Sequence, residues 1–208
     1  MLQLSTIDTS TLELLKKLMC FDEFANMRLV GGTALALQIG HRKSIDLDFF
    51  GNIDFPNIYT AKTFADFDKA VIIKSSKNIN IFSINDVKVD FVNYNYPWLQ
   101  SELKIDGIRL ATIEDIAAMK LAAITGRGSR KDFVDIYFLL QQYKLREMIN
   151  FYNKKYFDGS AYMVLKSLTY FDDAEKDHEI ETIPKISWTN IKNHILNAVD
   201  LYNENLKK

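Results

Sequence analysis

The first hundred residues alternate between short helical and short extended patterns. Apolar residues at helical spacing from Ser10 or Thr11 onward predict an amphipathic helix. Residues 28–30 predict a strand that ends at two glycines, and residues 33–39 predict a short helix that Gly40 closes. This half of the chain is therefore predicted to mix strands with helices.

Polar and apolar residues alternate from Ser44 to Phe50, which is typical of a half-buried strand. The alternation places Ile45, Leu47 and Phe49 in the core. Further predicted elements are a short helix over 64–70, strands over 78–84 and 87–92 around a turn at Asn85 and Asp86, and a last short strand at 109–110.

After about residue 110 the patterning becomes almost wholly helical. The predicted helices cover 112–125, 129–140, 145–154, 160–169 and 188–206, with an acidic exposed loop at 172–181. The fold class is therefore α+β. We predict an α/β core over residues 1–110 and a helical region over residues 111–208.

Composition and charge narrow the possible protein classes. The 208 residues are 48% apolar and 25% charged, which is ordinary for a folded globule. A net charge of −1 argues against a protein whose whole surface binds nucleic acid, though not against a local basic patch. The lone Cys20 excludes an intrachain disulfide. No apolar stretch is long enough to span a bilayer, so we expect a soluble cytoplasmic protein without a membrane partner.

Asp46 and Asp48 are the first candidates for chemistry. Residues two apart in a strand project from the same face, so the two carboxylates lie side by side. They repel each other unless a cation lies between them. Mg²⁺ is the natural candidate, because it prefers a few carboxylates together with substrate phosphates.

Gly31, Gly32 and Thr33, at the start of a predicted helix, form the candidate phosphate-binding turn. Without a Cβ, the glycine backbone can approach a ligand closely, and the N–H groups at the helix start favour a phosphate. Arg42 and Ser44 add a cation and a hydroxyl near the carboxylates. A phosphate-binding turn beside metal-binding acids indicates a nucleoside triphosphate held with Mg²⁺.

Asp90 is the candidate for a third carboxylate. It lies on a predicted neighbouring strand, on the face opposite Val89 and Phe91. Three carboxylates can hold two divalent ions, which is why we expect two Mg²⁺ ions. The alternative interpretation is that Asp90 faces water or pairs with Lys88.

These residues resemble a known family. Gly-Gly-Thr followed by Arg-Lys-Ser-Ile-Asp-Leu-Asp is similar to the first motif of DNA polymerase β-type nucleotidyltransferases, and the longer GGTALAL…HRKSIDLDFF resembles the AbiEii/AbiGii toxin branch. That branch carries two helical motifs, which are present here as Lys120-x-x-Ala-x-x-x-Arg127 and Asp132-x-x-Asp135. The resemblance covers about residues 28–140.

The resemblance implies a fold and a reaction. The fold is a small mixed-sheet nucleotidyltransferase core, with a C-terminal helical region that completes the active-site cleft. The reaction transfers a nucleoside monophosphate from an NTP to an acceptor hydroxyl, in this branch RNA and in known cases the tRNA 3′ end. A cognate antitoxin protein is then expected, as in type IV toxin–antitoxin and abortive-infection systems.

The resemblance also assigns roles to individual residues. Asp46 and Asp48 are the metal ligands, Lys120 approaches the triphosphate, and Asp132 or Asp135 completes the site. Asp132 has a structural alternative as the capping residue after Ser129, so the residue pattern alone favours Asp135.

Three other functions remain open at this stage. The chain can be a nucleotidyltransferase that modifies a small molecule such as an antibiotic, a nucleotide-binding module without catalysis, or a phosphotransferase that moves the γ-phosphate.

Overall fold

A computed structural model describes residues 1–53, 64 and 67–206. The chain divides into two compact units. The first comprises Met1–Tyr96 with Ser101–Thr112, and the second comprises Pro97–Gln100 with Ile113–Lys208. No helix in the described ranges is both long enough and apolar enough to cross a membrane.

The first unit is built on one seven-stranded mixed sheet. Its helices and strands are α1 (Thr9–Met19), β1 (Met27–Val30), α2 (Gly31–Ile39), β2 (Leu47–Gly51), β3 (Ala70–Ser75), β4 (Ile79–Ile84), β5 (Val87–Asn93), β6 (Leu103–Ile105) and β7 (Ile108–Leu110), with short 3₁₀ helices at Leu4–Thr6 and Asp22–Phe24. The strand order is β3-β4-β5-β2-β1-β7-β6.

The centre of the sheet fixes the positions that matter for chemistry. β2 pairs antiparallel with β1 and parallel with β5. In this register Asp48 of β2 lies opposite Val30 on one side and opposite Asp90 on the other. The sheet therefore brings Asp48 next to the residue before Gly31 and next to the predicted third acid.

Aromatic packing holds these central strands in place. The Phe49 ring stacks on Phe91 with centroids 5.3 Å apart, and Phe91 stacks on Phe24 at 4.5 Å. All three side chains are buried. Because side chains alternate across a strand, burying Phe49 and Phe91 turns the neighbouring Asp48 and Asp90 to the other face of the sheet.

Most of the predicted strands are confirmed, with three corrections. β2 begins at Leu47 rather than Ser44, and Ile45 is 57% exposed instead of lying in the core. The predicted helix over 64–70 is wrong at its end, where Ala70 starts β3, while its residues 65 and 66 lie outside the described residues. The strands β3 and β6 were not predicted.

The second unit is helical, as predicted. Its helices are α3 (Ile113–Gly126), α4 (Arg130–Leu139), α5 (Leu145–Lys155), α6 (Ala161–Leu168) and α7 (Trp188–Leu206), with a 3₁₀ turn at Ala174–Lys176 inside the predicted acidic loop. The α+β fold class is thereby confirmed.

A buried ion pair ties the Pro97–Gln100 segment to these helices. Lys155 Nζ lies 2.6 Å from Asp115 Oδ1, and both side chains have no exposed surface. The same ammonium donates to the Pro97 carbonyl at 2.8 Å and lies 4.4 Å from the centre of the Trp98 ring. Asp115 also accepts the backbone N–H of Leu99 at 3.0 Å. The pair therefore anchors the Pro97–Gln100 segment, because it joins that segment to both α3 and α5.

Replacing Lys155 with methionine tests this anchor. The change leaves Asp115 as a buried carboxylate without its cation, which costs about 3–5 kcal/mol. We expect the free energy of unfolding to fall by about that amount in urea titrations. Lys69→Met is the matched control, because its partner Asp86 and Lys69 itself are 77% and 59% exposed, and its loss should cost less than about 1 kcal/mol. Equal losses in the two variants would contradict this account.

Candidate active site

The first turn of α2 accommodates the Asp48 carboxylate at Gly31. Gly31 has a φ of +70°, which is the left-handed region that favours glycine. A Cβ at this position would lie 2.2 Å from Asp48 Oδ2, closer than any real contact. The glycine is therefore needed twice, for its backbone angle and for the space that Asp48 fills beside the helix N-terminus.

Gly32 makes room for Arg42 in the same way. A Cβ on Gly32 would lie 2.1 Å from Arg42 Nη2. The Arg42 side chain is buried, and its Nη1 donates to the Lys43 carbonyl at 3.0 Å. The sequence motif thus places a guanidinium against the start of α2, where we predicted a phosphate contact.

Thr33 binds the segment that carries the first acid. Its buried hydroxyl donates to the Asp46 carbonyl oxygen and shares a 2.8 Å hydrogen bond with Ser44 Oγ. Thr33 remains a predicted nucleotide-binding residue, and in the structure its hydroxyl contacts Ser44 and Asp46. Its observed role is to hold Ser44 and Asp46 beside α2.

Asp46 and Asp48 are both half-buried, and so is Asp90, the neighbour of Asp48 in the sheet register. Asp90 is held by Lys88, whose Nζ lies 2.7 Å from each carboxylate oxygen. The alternative interpretation, that Asp90 pairs with Lys88, therefore describes the observed contact. Within the described ranges, no three His, Cys, Asp or Glu side chains are grouped closely enough to hold a metal ion.

The donors present nevertheless fit Mg²⁺. This ion is usually bound by one or two carboxylates together with substrate phosphates, rather than by a cage of protein ligands. Asp46 and Asp48 supply hard carboxylate oxygens, and the space at Gly31 brings Asp48 to the α2 N-terminus, which favours anions. A two-acid site completed by a nucleotide does not require a third acid in advance.

The second unit contains a separate, buried charge cluster. Lys120 Nζ lies 3.0 Å from Asp132 Oδ1 and 2.5 Å from Asp135 Oδ2, and both aspartates have no exposed surface. One ammonium thus bridges the two acids of the Asp-x-x-Asp motif, which lie one turn apart on α4. Lys120 is buried on an apolar helix, and the anions that it contacts there belong to the protein.

Arg127 and Ser129 complete the contacts of Asp132. Arg127 donates through Nε at 2.9 Å and Nη2 at 3.2 Å, and the Ser129 hydroxyl donates at 2.7 Å. With Lys120 added, the carboxylate of Asp132 accepts four hydrogen bonds, which fills its lone-pair sites. Ser129 is the N-cap residue of α4, but its side chain binds Asp132 instead of capping a backbone N–H.

These donors set the charge state of Asp132. Burial raises the pKa of this carboxyl, but Lys120, Arg127 and Ser129 outweigh burial and lower the pKa from 3.8 to about 2. Asp132 is therefore ionised at neutral pH and is a weak base. The contacts of Arg127 and Ser129 with Asp132 were not predicted from the sequence, where Arg127 is a motif residue and Ser129 a helix cap.

Comparisons with known proteins show the family of the chain and its fold. A family model described as nucleotidyl transferase AbiEii toxin, type IV TA system, matches residues 13–206. An uncharacterized protein from Aquifex aeolicus (strain VF5) is 33% identical over 199 residues, which are 93% of this chain and 96% of that protein.

Two solved structures share the fold. The MenT4 nucleotidyltransferase toxin from Mycobacterium tuberculosis H37Rv superposes with a TM-score of 0.61 at 11% identity, covering 91% of this chain and 81% of that chain. JHP933 from Helicobacter pylori superposes with a TM-score of 0.60 at 17% identity, covering 97% and 95%.

A double-mutant cycle tests the contact between Gly31 and Asp48. Gly31→Ala and Gly107→Ala both place an alanine at positive φ, but a Cβ at Gly107 meets nothing within 4 Å. We expect Gly107→Ala to lower the free energy of unfolding by about 1 kcal/mol and Gly31→Ala by about 1–2 kcal/mol more. In an Asp48→Ala background this extra loss should disappear. If it persists, Asp48 does not fill the space at Gly31.

The Asp132 pKa gives a pH test of the second cluster. A carboxyl with a lowered folded-state pKa stabilises the protein above its unfolded pKa of about 3.8, and this stabilisation is lost as pH falls towards 2. The difference between these pKa values corresponds to about 2 kcal/mol. We therefore expect the stability difference between wild type and Asp132→Asn to shrink by about that amount between pH 5 and pH 2. Urea titrations that give a constant difference over this range would refute the assignment.

Proposed function

Because the chain belongs to the AbiEii family of nucleotidyltransferase toxins of type IV toxin–antitoxin systems, we propose that this nucleotidyltransferase moves a nucleoside monophosphate from an NTP, with Mg²⁺, to a hydroxyl of RNA, in particular tRNA. The observation that carries the proposal is the packing of Gly31, Gly32 and Thr33 against the segment that holds Asp46 and Asp48. The family description implies an antitoxin, and we place the activity in the cytoplasm, where NTPs and tRNA are found.

The first unit supplies the groups proposed to bind the nucleotide. Asp46 and Asp48 are the proposed ligands of Mg²⁺, and a bound divalent ion neutralises phosphate oxygens and polarises the reacting phosphorus. The N–H groups at the start of α2, with Arg42 and Ser44 beside them, favour the anionic phosphates. Asp90 joins these ligands only if it leaves Lys88.

The remaining roles are those that the family resemblance implies for Lys120 and for the acids of α4. The acceptor oxygen forms a bond to the α-phosphorus, the bond from that phosphorus to the bridging oxygen breaks, and pyrophosphate leaves. We assign Lys120 to the charge of the triphosphate, where a fixed ammonium offsets negative charge. The proton of the acceptor passes to Asp135, because the four donors on Asp132 leave it no lone pair for this role.

Incubation with each α-labelled NTP, Mg²⁺ and total cellular RNA tests the proposal. We expect label from at least one NTP in RNA, with pyrophosphate released in equal amount. Replacing RNA with aminoglycosides tests the small-molecule alternative. Transfer of label from a γ-labelled NTP to the acceptor tests the phosphotransferase alternative. Absence of label with every acceptor would favour a non-catalytic nucleotide-binding module and overturn the proposal.

Asp46→Asn is the variant that isolates chemistry from folding. Removing one of two neighbouring carboxylates should lower transfer by at least about 100-fold while the melting temperature stays unchanged or rises, because repulsion is relieved. Asp86→Asn, which removes an exposed carboxylate from the β4–β5 turn, is the control and should transfer normally. A large loss of stability with transfer intact would contradict the role of Asp46.

A further inference from the structure

The second unit contains an open cleft that the proposed chemistry does not use. It lies between the turn after α4, the start of α5 and the C-terminal half of α7, and its volume is about 700 Å³. Apolar side chains of Leu140, Leu145 and Leu201 line part of it. This volume falls in the range of ligand pockets, and the lining combines apolar surface with a few polar groups, as ligand sites do.

The charges in the cleft are of one sign. Lys144 and Arg146 line it, both are exposed, and neither forms an ion pair with any residue that the structure describes. No aspartate or glutamate is among the residues that line the cleft. Two unpaired cations without a nearby lining acid attract an anionic ligand.

Two carboxylates at this end of the helices are already engaged. Glu147 accepts the backbone N–H of Lys144 at 2.8 Å, and Glu114 accepts the Tyr143 hydroxyl at 3.1 Å. Burial and Glu114 raise the pKa of Tyr143 to about 12, so its ring stays uncharged at neutral pH. Neither acid therefore pairs with the two cations.

Aromatic and amide groups complete the lining. Tyr143 and Tyr202 are both half-buried and present ring surface, and His194 and Asn197 add hydrogen-bonding groups. Cations that track a phosphate backbone together with aromatic rings that stack on bases are the features of single-strand nucleic-acid sites. An apolar peptide segment would contact the leucines, but its binding would not require the cations and the aromatic rings of the cleft.

The cleft lies a short distance from the buried acids of the same unit. Leu140 follows Asp135 by five residues along α4, which is about 8 Å at the rise of a helix. Glu114, which binds Tyr143, precedes Lys120 by six residues on α3, or about 9 Å. A polymer that lies in the cleft can therefore extend along the helices towards Lys120 and Asp135.

We infer that this cleft binds the single-stranded end of the RNA acceptor, with phosphates at Lys144 and Arg146 and a base against Tyr202. The inference rests on the proposed function for the identity of the acceptor. It adds a binding site about 10 Å from the acids of α4, along the helices.

Fluorescence anisotropy with a labelled 12-nucleotide single-stranded RNA tests the inference on the full chain. We expect Lys144→Glu/Arg146→Glu to weaken binding by at least about 10-fold and to lower the slope of log affinity against log salt by about 1.4. Lys154→Glu/Lys166→Glu changes the net charge equally on exposed residues outside the cleft and should change affinity less than about 2-fold.

Tyr202→Ala separates stacking from charge. It should weaken binding by about 5-fold or more without changing the salt slope, while Tyr162→Ala, which removes an exposed ring elsewhere, should have no effect. Equal weakening by the cleft and control variants would overturn the inference, as would wild-type protein that does not bind the RNA. Size-exclusion chromatography of the cleft variants tests whether a second copy of the chain occupies the cleft instead. An altered oligomeric state of these variants with unchanged RNA affinity would also overturn the inference.

The transfer assay distinguishes failure of this inference from failure of the proposed function. If wild type labels RNA and the cleft variants keep its KM for RNA, the cleft is not the acceptor site and the proposed function stands. If the cleft variants lose RNA binding but wild type transfers nothing to RNA, the cleft is an RNA site and the proposed function fails.

Discussion

The start of α2 packs so closely against residues 42–48 that no side-chain atom fits at Gly31 or Gly32. At both positions a Cβ would come within 2.2 Å of a side-chain atom, from Asp48 in one case and Arg42 in the other. Thr33 adds a buried hydroxyl that binds the Asp46 backbone. Each of these three consecutive residues therefore contacts the segment 42–48: Gly31 faces Asp48, Gly32 faces Arg42, and Thr33 binds Ser44 and Asp46. The spacing of the motif follows from one antiparallel register, in which Val30 lies opposite Asp48.

The second unit contains buried charges that must be compensated within the protein. Two buried carboxylates one helical turn apart would repel each other, and each would be expensive to desolvate alone. Lys120 contacts both, and Arg127 brings a second positive charge to Asp132 from the solvent side. The cluster is neutral as a whole and its donors are directional, so the positions of Lys120 and Asp135 are fixed before any substrate binds. The Asp115–Lys155 pair is buried and ion-paired in the same way, yet neither residue belongs to the Lys120 or Asp-x-x-Asp motif, so buried charge alone does not identify a site.

The sequence predicted the elements that have a strong local signal. The Asn85-Asp86 turn was predictable because both residues tolerate the positive φ values that the turn adopts. Strand alternation accounts for Asp48 but not for Asp46, which precedes the first residue of β2. β3 was missed because its apolar residues Val71, Ile72 and Ile73 are consecutive rather than alternating, and all six residues of the strand are exposed, so no face is marked as buried. Ile45 was placed in the core because the alternation of Ser44–Phe50 continues past the true start of the strand. The roles of Thr33 and Ser129 depend on partners that only the folded chain brings close, which no spacing rule contains.

The central claim is that Asp46 and Asp48, held at the start of α2, form the metal and phosphate site. A crystal structure of the protein soaked with Mn²⁺ and an NTP analogue that cannot release pyrophosphate measures this directly, because Mn²⁺ is located by its anomalous signal. The account predicts a Mn²⁺ peak within about 2.2 Å of a carboxylate oxygen of each aspartate, with analogue phosphates next to Gly31 and Gly32. A peak at other ligands, or phosphates bound while no metal contacts either aspartate, would contradict it.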